Sequence, residues 1–203
     1  MNYPNKAKIE KTTFINYAHR GMTLESDINN SNKYYLDNDI AVIYKKPTPI
    51  KVVKVNYNNR INTKIVEAYY EVPSTTDYNG IYKGFYIDFE AKETKSKTAF
   101  NLNNIHKHQI VHLEKVIKHG GISFLIIRFT TINKTYLLFT EDFSNYINNN
   151  DRKSIPLSFI EEKGYLLKDS YNPIIDYIKI IDKYIGDKNE KKIWYKKYNE
   201  KDY

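Results

Sequence analysis

The sequence predicts a mixed α/β fold, because strand-like and helix-like hydrophobic patterns alternate along the chain. Residues 85–92 alternate between apolar and polar side chains, which is the period of a strand with one buried face. Residues 122–129 form an apolar run up to Arg128, typical of a strand at the centre of a sheet. Residues 102–119 repeat apolar side chains at helical spacing, and Gly120 and Gly121 then predict the end of that helix.

The other elements follow from local signals, taken in chain order. Thr23 is a candidate N-cap for a helix over residues 24–37. Residues 40–44 predict a short strand, and Pro47 and Pro49 then interrupt regular structure.

A long hairpin is expected over about residues 50–72. Residues 50–55 and 64–72 alternate like two strands, and an Asn-rich turn over 56–62 joins them. We expect this hairpin to protrude, because it contributes few apolar side chains to a core.

The remaining signals complete a single domain. Gly80 and Gly84 are expected to bracket a tight turn. A strand is expected at 135–140, and helices at 158–162 and 174–185. We divide the chain into a flexible segment (residues 1–18), one domain (19–185) and a charged tail (186–203).

Composition narrows the class of protein. The chain has 203 residues with 32 Lys and Arg against 24 Asp and Glu, a formal charge of +8. It contains no cysteine, which excludes disulfides, Cys-based zinc sites and a thiol nucleophile. No signal peptide or membrane-spanning run is visible, so we expect a soluble cytoplasmic protein. The basic excess makes a polyanion the expected large partner.

Basic residues are concentrated where acids are missing. No acidic residue occurs between positions 40 and 66, and aromatic side chains lie within and after this segment. Two interpretations stay open from this segment alone: a nucleic-acid surface that combines phosphate and base contacts, or a solvated strand pair with ordinary lysines. The candidate DNA-binding residues are Lys45, Lys51, Lys54, Arg60, Lys64, Tyr69 and Tyr70.

One face of the strand over 85–92 carries the residues that indicate chemistry. Asp88, Glu90 and Lys92 project from the same side, about 6.6–6.8 Å apart along the strand. If the chain folds back at the preceding turn, Asp77 lies opposite Glu90. Asp, a spacer and Glu-x-Lys form the nuclease pattern written PD-(D/E)xK, in which carboxylates hold Mg²⁺ and the lysine stabilises charge on the phosphate. The alternative is a solvated strand face with a salt bridge.

Three further observations concern candidate residues near this pattern. Glu93 begins a second Glu-x-Lys pair, but strand parity puts it on the apolar side or beyond the end of the strand. Gln109 interrupts the apolar stripe of the helix over 102–119 and needs a polar partner, either a metal site or a backbone group. His108 and His112 are spaced like a helical zinc pair, but without a third ligand we assign them to the surface.

Several separated motifs together resemble the RecU-type family of Holliday junction resolvases. Residues 74–95 (STTDYNGIYKGFYIDFEAKETK) carry the main signature. Residues 20–25 (RGMTLE), 43–49 (IYKKPTP) and 152–156 (RKSIP) match in the same order. The resemblance covers about residues 19–185.

The resemblance implies a restriction-endonuclease-like mixed sheet flanked by helices, in a homodimer that nicks two opposing strands of a four-way junction. It implies a Mg²⁺ site, with Mn²⁺ as a possible substitute, formed by Thr75, Asp77, Glu90 and Gln109. Lys92 would be the transition-state stabiliser, and the hairpin over 50–72 a basic stalk that enters the junction. Recombinase and branch-migration proteins are expected as further partners.

One further candidate residue, Glu25, and two alternative functions for the chain remain. Glu25 is a second candidate for the metal or its water, because a helix glutamate recurs near the metal in other resolvases of this nuclease class; the alternative is an ordinary first-turn glutamate. The chain could instead be a non-catalytic junction-binding partner in recombination, or a sequence-specific restriction-type nuclease.

Overall fold

A computed structural model of the chain describes residues 23–57, 63–71 and 75–199. Its helices are α1 (Leu24–Asp37), α2 (Lys107–Lys118), α3 (Thr140–Asn148), α4 (Leu157–Lys163) and α5 (Ile178–Asn199). Its strands are β1 (Val42–Lys45), β2 (Ile50–Tyr57), β3 (Thr63–Tyr70), β4 (Tyr78–Tyr82), β5 (Phe85–Thr94), β6 (Ala99–Asn101), β7 (Ile122–Phe129), β8 (Lys134–Phe139), β9 (Ser154–Pro156) and β10 (Tyr165–Leu167). The segment predicted to be flexible, residues 1–18, lies outside the described residues.

The centre of the fold is a six-stranded mixed sheet, which confirms the predicted α/β class. Its order is β1-β4-β5-β7-β8-β10. β5 and β7 pair in parallel, and every other neighbouring pair is antiparallel. β7 is buried along its whole length and lies between β5 and β8, as its apolar run predicts.

Two cores lie on opposite faces of this sheet. α1 and the first turns of α5 cover one face, where Ile28, Phe89 and Ile181 are fully buried. The second core joins Leu113 of α2 and Phe143 of α3 to side chains from the other face. Alternate residues of β7 contribute to the two cores because successive strand side chains point to opposite faces.

The first helix begins and ends as predicted. Thr23 has an extended backbone and its hydroxyl accepts a hydrogen bond from the N–H of Ser26 at 3.2 Å. The main-chain N–H of Leu24 donates to Glu93 Oε1 at 2.8 Å, which ties the helix N-terminus to β5. Glu93 therefore lies on the α1 side of the sheet, as strand parity predicts.

The helix predicted over 102–119 is shorter at its N-terminal end. A 3₁₀ turn occupies Leu102–Asn104, where the Asn101 side chain accepts from the N–H of Asn103 at 2.9 Å. Ile105 is then extended and buried, and α2 begins only after His106. The local asparagine bond competes with helix formation and starts a turn instead. The predicted C-terminal end is confirmed, with Gly120 at φ +87°.

Two other predictions need correction, and one helix was not predicted. Gly80 is inside β4, and the turn is formed by Lys83 and Gly84 at φ +48° and +80°. β1 packs so closely against Gly80 that a side chain there would clash: a Cβ would lie 2.1 Å from the carbonyl oxygen of Val42. The last helix starts at Ile178 rather than 174, and it continues through the predicted tail to Asn199. α3 has no counterpart in the prediction.

The predicted hairpin is present as a separate two-stranded sheet. β2 and β3 pair antiparallel from Ile50↔Tyr70 to Tyr57↔Thr63. Every β3 side chain is exposed, so the hairpin stands apart from both cores. Within the part of the chain that the structure describes, no helix has both the length and the apolarity that crossing a bilayer requires.

Candidate active site

The polar face of β5 is buried, not solvated. Asp88 and Glu90 each have 0% exposure, although both point away from the core that holds Ile87 and Phe89. Burying a charged carboxylate is costly unless a partner compensates it. The interpretation of this face as an ordinary solvated strand surface is therefore wrong.

Three of the predicted site residues come together at the end of this face. The main-chain N–H of Asp77 donates to Glu90 Oε2 at 3.1 Å. Lys92 Nζ contacts Glu90 Oε1 and lies 4.0 Å from Asp77 Oδ2. The register Tyr78↔Phe89 between β4 and β5 sets Asp77 opposite Glu90, as the sequence pattern predicts.

The electrostatics of this group favour a cation. The pKa of Glu90 is raised from 4.5 to about 7: burial is the largest cause, the nearby Asp77 carboxylate adds to it, and the Lys92 ammonium opposes both effects. Two carboxylates thus converge where a single ammonium does not fully offset the cost of their charge. A divalent cation would do so, and oxygen ligands of this kind suit Mg²⁺.

Thr75 and Gln109, the other two predicted ligands, have different surroundings. Thr75 is half-buried beside Asp77 in a pocket of about 200 Å³ that Lys45 and Lys46 also line. Gln109 is 4% exposed, and its Oε1 accepts from the main-chain N–H of His106 at 2.9 Å. The backbone partner considered from the sequence is therefore present. A carbonyl oxygen has a second lone pair, so this bond leaves one site free to accept.

Glu25 lies close to the same group. It lines a pocket of about 270 Å³ together with Asp77 and Lys92. Its carboxylate pairs with Lys45 Nζ at 2.5 Å. The charges of Glu25, Asp77 and Glu90 also raise the pKa of Tyr78, although burial of that phenol is the larger cause. Glu25 thus lies next to the site, and its carboxylate is already paired with Lys45.

The prediction that His112 is a plain surface residue is wrong. Its Nε2 lies 3.1 Å from Asp88 Oδ2, and its side chain is 25% exposed. His108 is half-buried and stacks on His106 with ring centroids 5.3 Å apart. Helical spacing alone missed these contacts because β5 packs against this side of α2.

The sequence analysis also did not identify Thr76 and Lys46 as partners of Asp88 on β5. Thr76 donates its hydroxyl to Asp88 Oδ1, and Lys46 Nζ donates to Asp88 Oδ2 at 2.9 Å. Thr76 adjoins the predicted ligands in sequence, but nothing in its pattern shows which way its hydroxyl points. The proximity of Lys46 depends on the pairing of β1 with β4, which no local signal specifies.

The candidate DNA-binding residues are distributed over two places. Lys45 lies beside the site in its pair with Glu25, whereas Lys51, Lys54 and Lys64 are exposed on the hairpin. Tyr69 and Tyr70 are 60% and 84% exposed near the hairpin base. Arg60 lies outside the described residues.

The described part of the hairpin also carries acids. Glu67 is the cross-strand neighbour of Lys54 and accepts a hydrogen bond from the Tyr69 hydroxyl at 2.8 Å. Glu71 follows β3 directly. The positive character of this hairpin is therefore weaker near its base than the acid-free stretch of sequence suggested.

The donor set fits a hard divalent cation. Among the described residues, no group of three or more His, Cys, Asp or Glu is arranged to hold a metal ion. The predicted set contains only two carboxylates, supplemented by a threonine and an amide oxygen. Two facing carboxylates, one of them with a raised pKa, still fit an oxygen-liganded Mg²⁺ that keeps several waters.

Comparison with known proteins places this arrangement in context. The family model "Recombination protein U" matches residues 19–183. Proteins named "Holliday junction resolvase RecU" from Staphylococcus aureus strains JH9, COL and N315 are each 47% identical over 208 residues. Each alignment covers 95% of this chain and 100% of the relative.

Proposed function

The chain belongs to the RecU family of Holliday junction resolvases, and from this premise we propose that it cuts four-way DNA junctions by paired symmetric nicks in a metal-dependent reaction. The activity is that of an endonuclease of recombination and repair. The observation that carries the proposal is the convergence of Asp77, Glu90 and Lys92 at one end of β5. These three residue types form the nuclease pattern that the sequence contains.

Four residues would hold the divalent cation: Asp77 and Glu90 through carboxylates, Thr75 and Gln109 through neutral oxygens. The chemistry that such a cation would supply is polarisation of the scissile phosphate and a lower pKa for a bound water. The protein's part is to present ionised oxygens. Because the pKa of Glu90 is raised to about 7, Glu90 would have to be in its ionised form to hold the cation, and binding would be weaker at a pH below that value.

Lys92 supplies the positive charge on the protein side. Its ammonium is held against Glu90 and near Asp77, which fixes its position before DNA binds. A positioned charge of this kind stabilises the charge that develops on the phosphate at little reorganisation cost. Its side chain is 27% exposed, so it remains accessible to a phosphate.

We further propose that selection of the junction depends on assembly and on the hairpin. Symmetric nicking of two strands needs two sites related by a twofold axis, hence a homodimer. The hairpin of β2 and β3 stands apart from both cores, and its exposed tyrosines and lysines suit the open centre of a junction, where several phosphate backbones converge. Duplex DNA offers no such opening.

A synthetic four-way junction tests the activity directly. Incubation with Mg²⁺ should give two symmetric nicks, and omission of Mg²⁺ or addition of EDTA should abolish them. A linear duplex of the same sequence is the control substrate. Binding of the junction without cleavage at any Mg²⁺ or Mn²⁺ concentration would indicate a non-catalytic binding partner, and equal cleavage of the duplex would indicate a restriction-type nuclease.

A further inference from the structure

Asp88 is the meeting point of four side chains. Its Oδ2 accepts from Tyr86 at 2.8 Å and from Lys46 at 2.9 Å, and it lies 3.1 Å from His112 Nε2. Its Oδ1 accepts from the hydroxyl of Thr76. Because a carboxylate only accepts, the His112 imidazole carries its hydrogen on Nε2. We refer to these five residues as the Asp88 cluster.

The four partners of Asp88 come from different parts of the fold. Tyr86 shares β5 with Asp88, and Lys46 directly follows β1. Thr76 belongs to the segment before β4, and His112 to α2. One fully buried carboxylate therefore links two strands, a loop and a helix that are far apart in sequence.

Each of the predicted metal ligands is adjacent to a member of this cluster. Thr76 lies between Thr75 and Asp77. Asp88 precedes Glu90 by two residues on the same face of β5, and His112 follows Gln109 on α2. The cluster therefore reaches all three segments that carry the four ligands.

Lys46 strengthens the link to Asp77 through its backbone as well as its side chain. Its main-chain N–H donates to the carbonyl oxygen of Asp77 at 2.7 Å. Its Nζ donates to Thr76 Oγ1 at 3.0 Å and to Asp88 at 2.9 Å. The position of Asp77 thus depends on the end of β1 and on the adjacent threonine.

Asp88 is poorly suited to bind a cation itself. Its Oδ2 already faces three donors, and its Oδ1 accepts from Thr76 and keeps only one lone pair. One of these donors is an ammonium, which would repel a metal ion at the same oxygen. The role of Asp88 must then differ from that of Asp77 and Glu90.

We propose that Asp88 is a positioning residue that sets the relative placement of the three ligand-bearing segments, so that the metal site is formed before the cation binds. The proposal rests on the proposed function for the identity of those ligands. Outer groups of this kind are worth about 10- to 100-fold in metal affinity or activity.

The test is Asp88→Asn, measured first without DNA. An asparagine of the same shape removes the negative charge that pairs with Lys46 and replaces one acceptor by an NH₂ group. Mn²⁺ binding is followed by electron paramagnetic resonance of the free ion. We expect the dissociation constant for Mn²⁺ to rise at least tenfold, and the Mg²⁺ concentration for half-maximal junction cleavage to rise with it, while excess Mg²⁺ restores part of the rate.

Asp27→Asn is the matched control. Asp27 is also a buried carboxylate, and it pairs with Arg128 Nη1 at 2.6 Å in a cluster without predicted ligands. The Asp27→Asn variant should have lower thermal stability and unchanged Mn²⁺ affinity. A rise in the Asp88→Asn dissociation constant no larger than that of Asp27→Asn overturns the proposal. Complete loss of metal binding and cleavage that no Mg²⁺ concentration restores, as expected for Asp77→Asn, also overturns it by making Asp88 a ligand.

Two milder variants keep the proposal testable if Asp88→Asn does not fold. Tyr86→Phe and His112→Ala each remove one donor at a partly exposed position and leave the Lys46–Asp88 pair intact. Each should weaken Mn²⁺ binding more than Asp27→Asn does, and unchanged affinity in both would overturn the proposal. If the wild type binds Mn²⁺ but cuts no junction, the proposed function fails while the affinities still decide the role of Asp88. A wild type that binds no Mn²⁺ overturns both.

Discussion

The backbone of Asp77 is hydrogen-bonded to the side chain of Glu90, from the Asp77 N–H to Glu90 Oε2 at 3.1 Å. This bond holds two acidic residues together where charge repulsion would separate them, and it raises the question of what the pair binds. Five predictions follow from the arrangement of these residues and from the hairpin, beside the test of Asp88.

Asp77→Asn and Glu90→Gln should each abolish junction cleavage. A neutral amide of the same shape cannot supply the negative charge that holds a divalent cation, but it leaves the surface for DNA nearly unchanged. Cleavage of a labelled junction and its binding in EDTA are measured side by side. Wild-type cutting by either variant would contradict the assignment of that carboxylate as a ligand.

Lys92→Ala should slow the cleavage step by about 10²–10³-fold, the typical effect of removing one positioned stabilising group. Junction affinity should change little, because the Lys92 ammonium is already held by Glu90 and Asp77 in the free protein. Single-turnover rates and dissociation constants separate the two effects. Lys45→Ala, whose ammonium pairs with Glu25, is the comparison variant for loss of a nearby lysine. Parallel losses in affinity and rate would make Lys92 a phosphate contact only.

Glu90→Gln should also stabilise the metal-free protein at neutral and higher pH. The pKa of Glu90 is 4.5 when unperturbed and about 7 in the folded state, so ionisation of Glu90 disfavours folding. The wild type is stabilised by the protonated form of Glu90. This contribution is fully present below pH 4.5 and is lost as the pH rises through about 7. The variant lacks this loss, so its free energy of unfolding relative to that of the wild type should increase by about 3 kcal/mol between pH 4 and pH 8.

Urea unfolding of both proteins in EDTA, at several pH values from 4 to 8, measures this difference. The comparison of variant and wild type cancels the titration of the carboxylates that do not interact with Glu90. If the difference does not grow with pH, the pKa of Glu90 is not raised in the folded protein.

A homodimer is expected in solution. Two symmetric nicks need two copies of the site around a twofold axis. Sedimentation velocity at micromolar concentration should give about twice the chain mass of 24.1 kDa. A monomer that still cuts both strands in one encounter would argue against this assembly.

Shortening the hairpin between Val53 and Lys64 should remove the preference for junctions over duplex DNA. Basic surfaces bind the phosphates of any duplex arm, so selectivity needs a feature that fits only the branch point. The measurement is the ratio of dissociation constants for junction and duplex at one fixed salt concentration. The separation of the hairpin from both cores predicts unchanged thermal stability of the domain. An unchanged ratio would place the source of selectivity elsewhere in the protein.

The period-two pattern of β5 was readable from the sequence because the backbone of a strand forces successive side chains to opposite faces. This is why the common face of Asp88, Glu90 and Lys92, and the opposite face for Glu93, were predicted correctly. Short-range hydrogen bonding likewise located the start of α1 at Thr23. The same local reasoning failed at residues 102–106, where an asparagine turn outweighs helical spacing.

Burial and partner choice were decided only by the tertiary structure. The sequence shows which side of β5 bears Asp88 and Glu90, but not that both carboxylates are fully buried. It could not show that Gln109 bonds the backbone of His106, or that His112 approaches Asp88. These contacts form between segments that pack together only in the complete fold. The sequence therefore determined which residues share the polar face of β5. Their pKa values and mutual positions depend on the neighbours that the fold supplies.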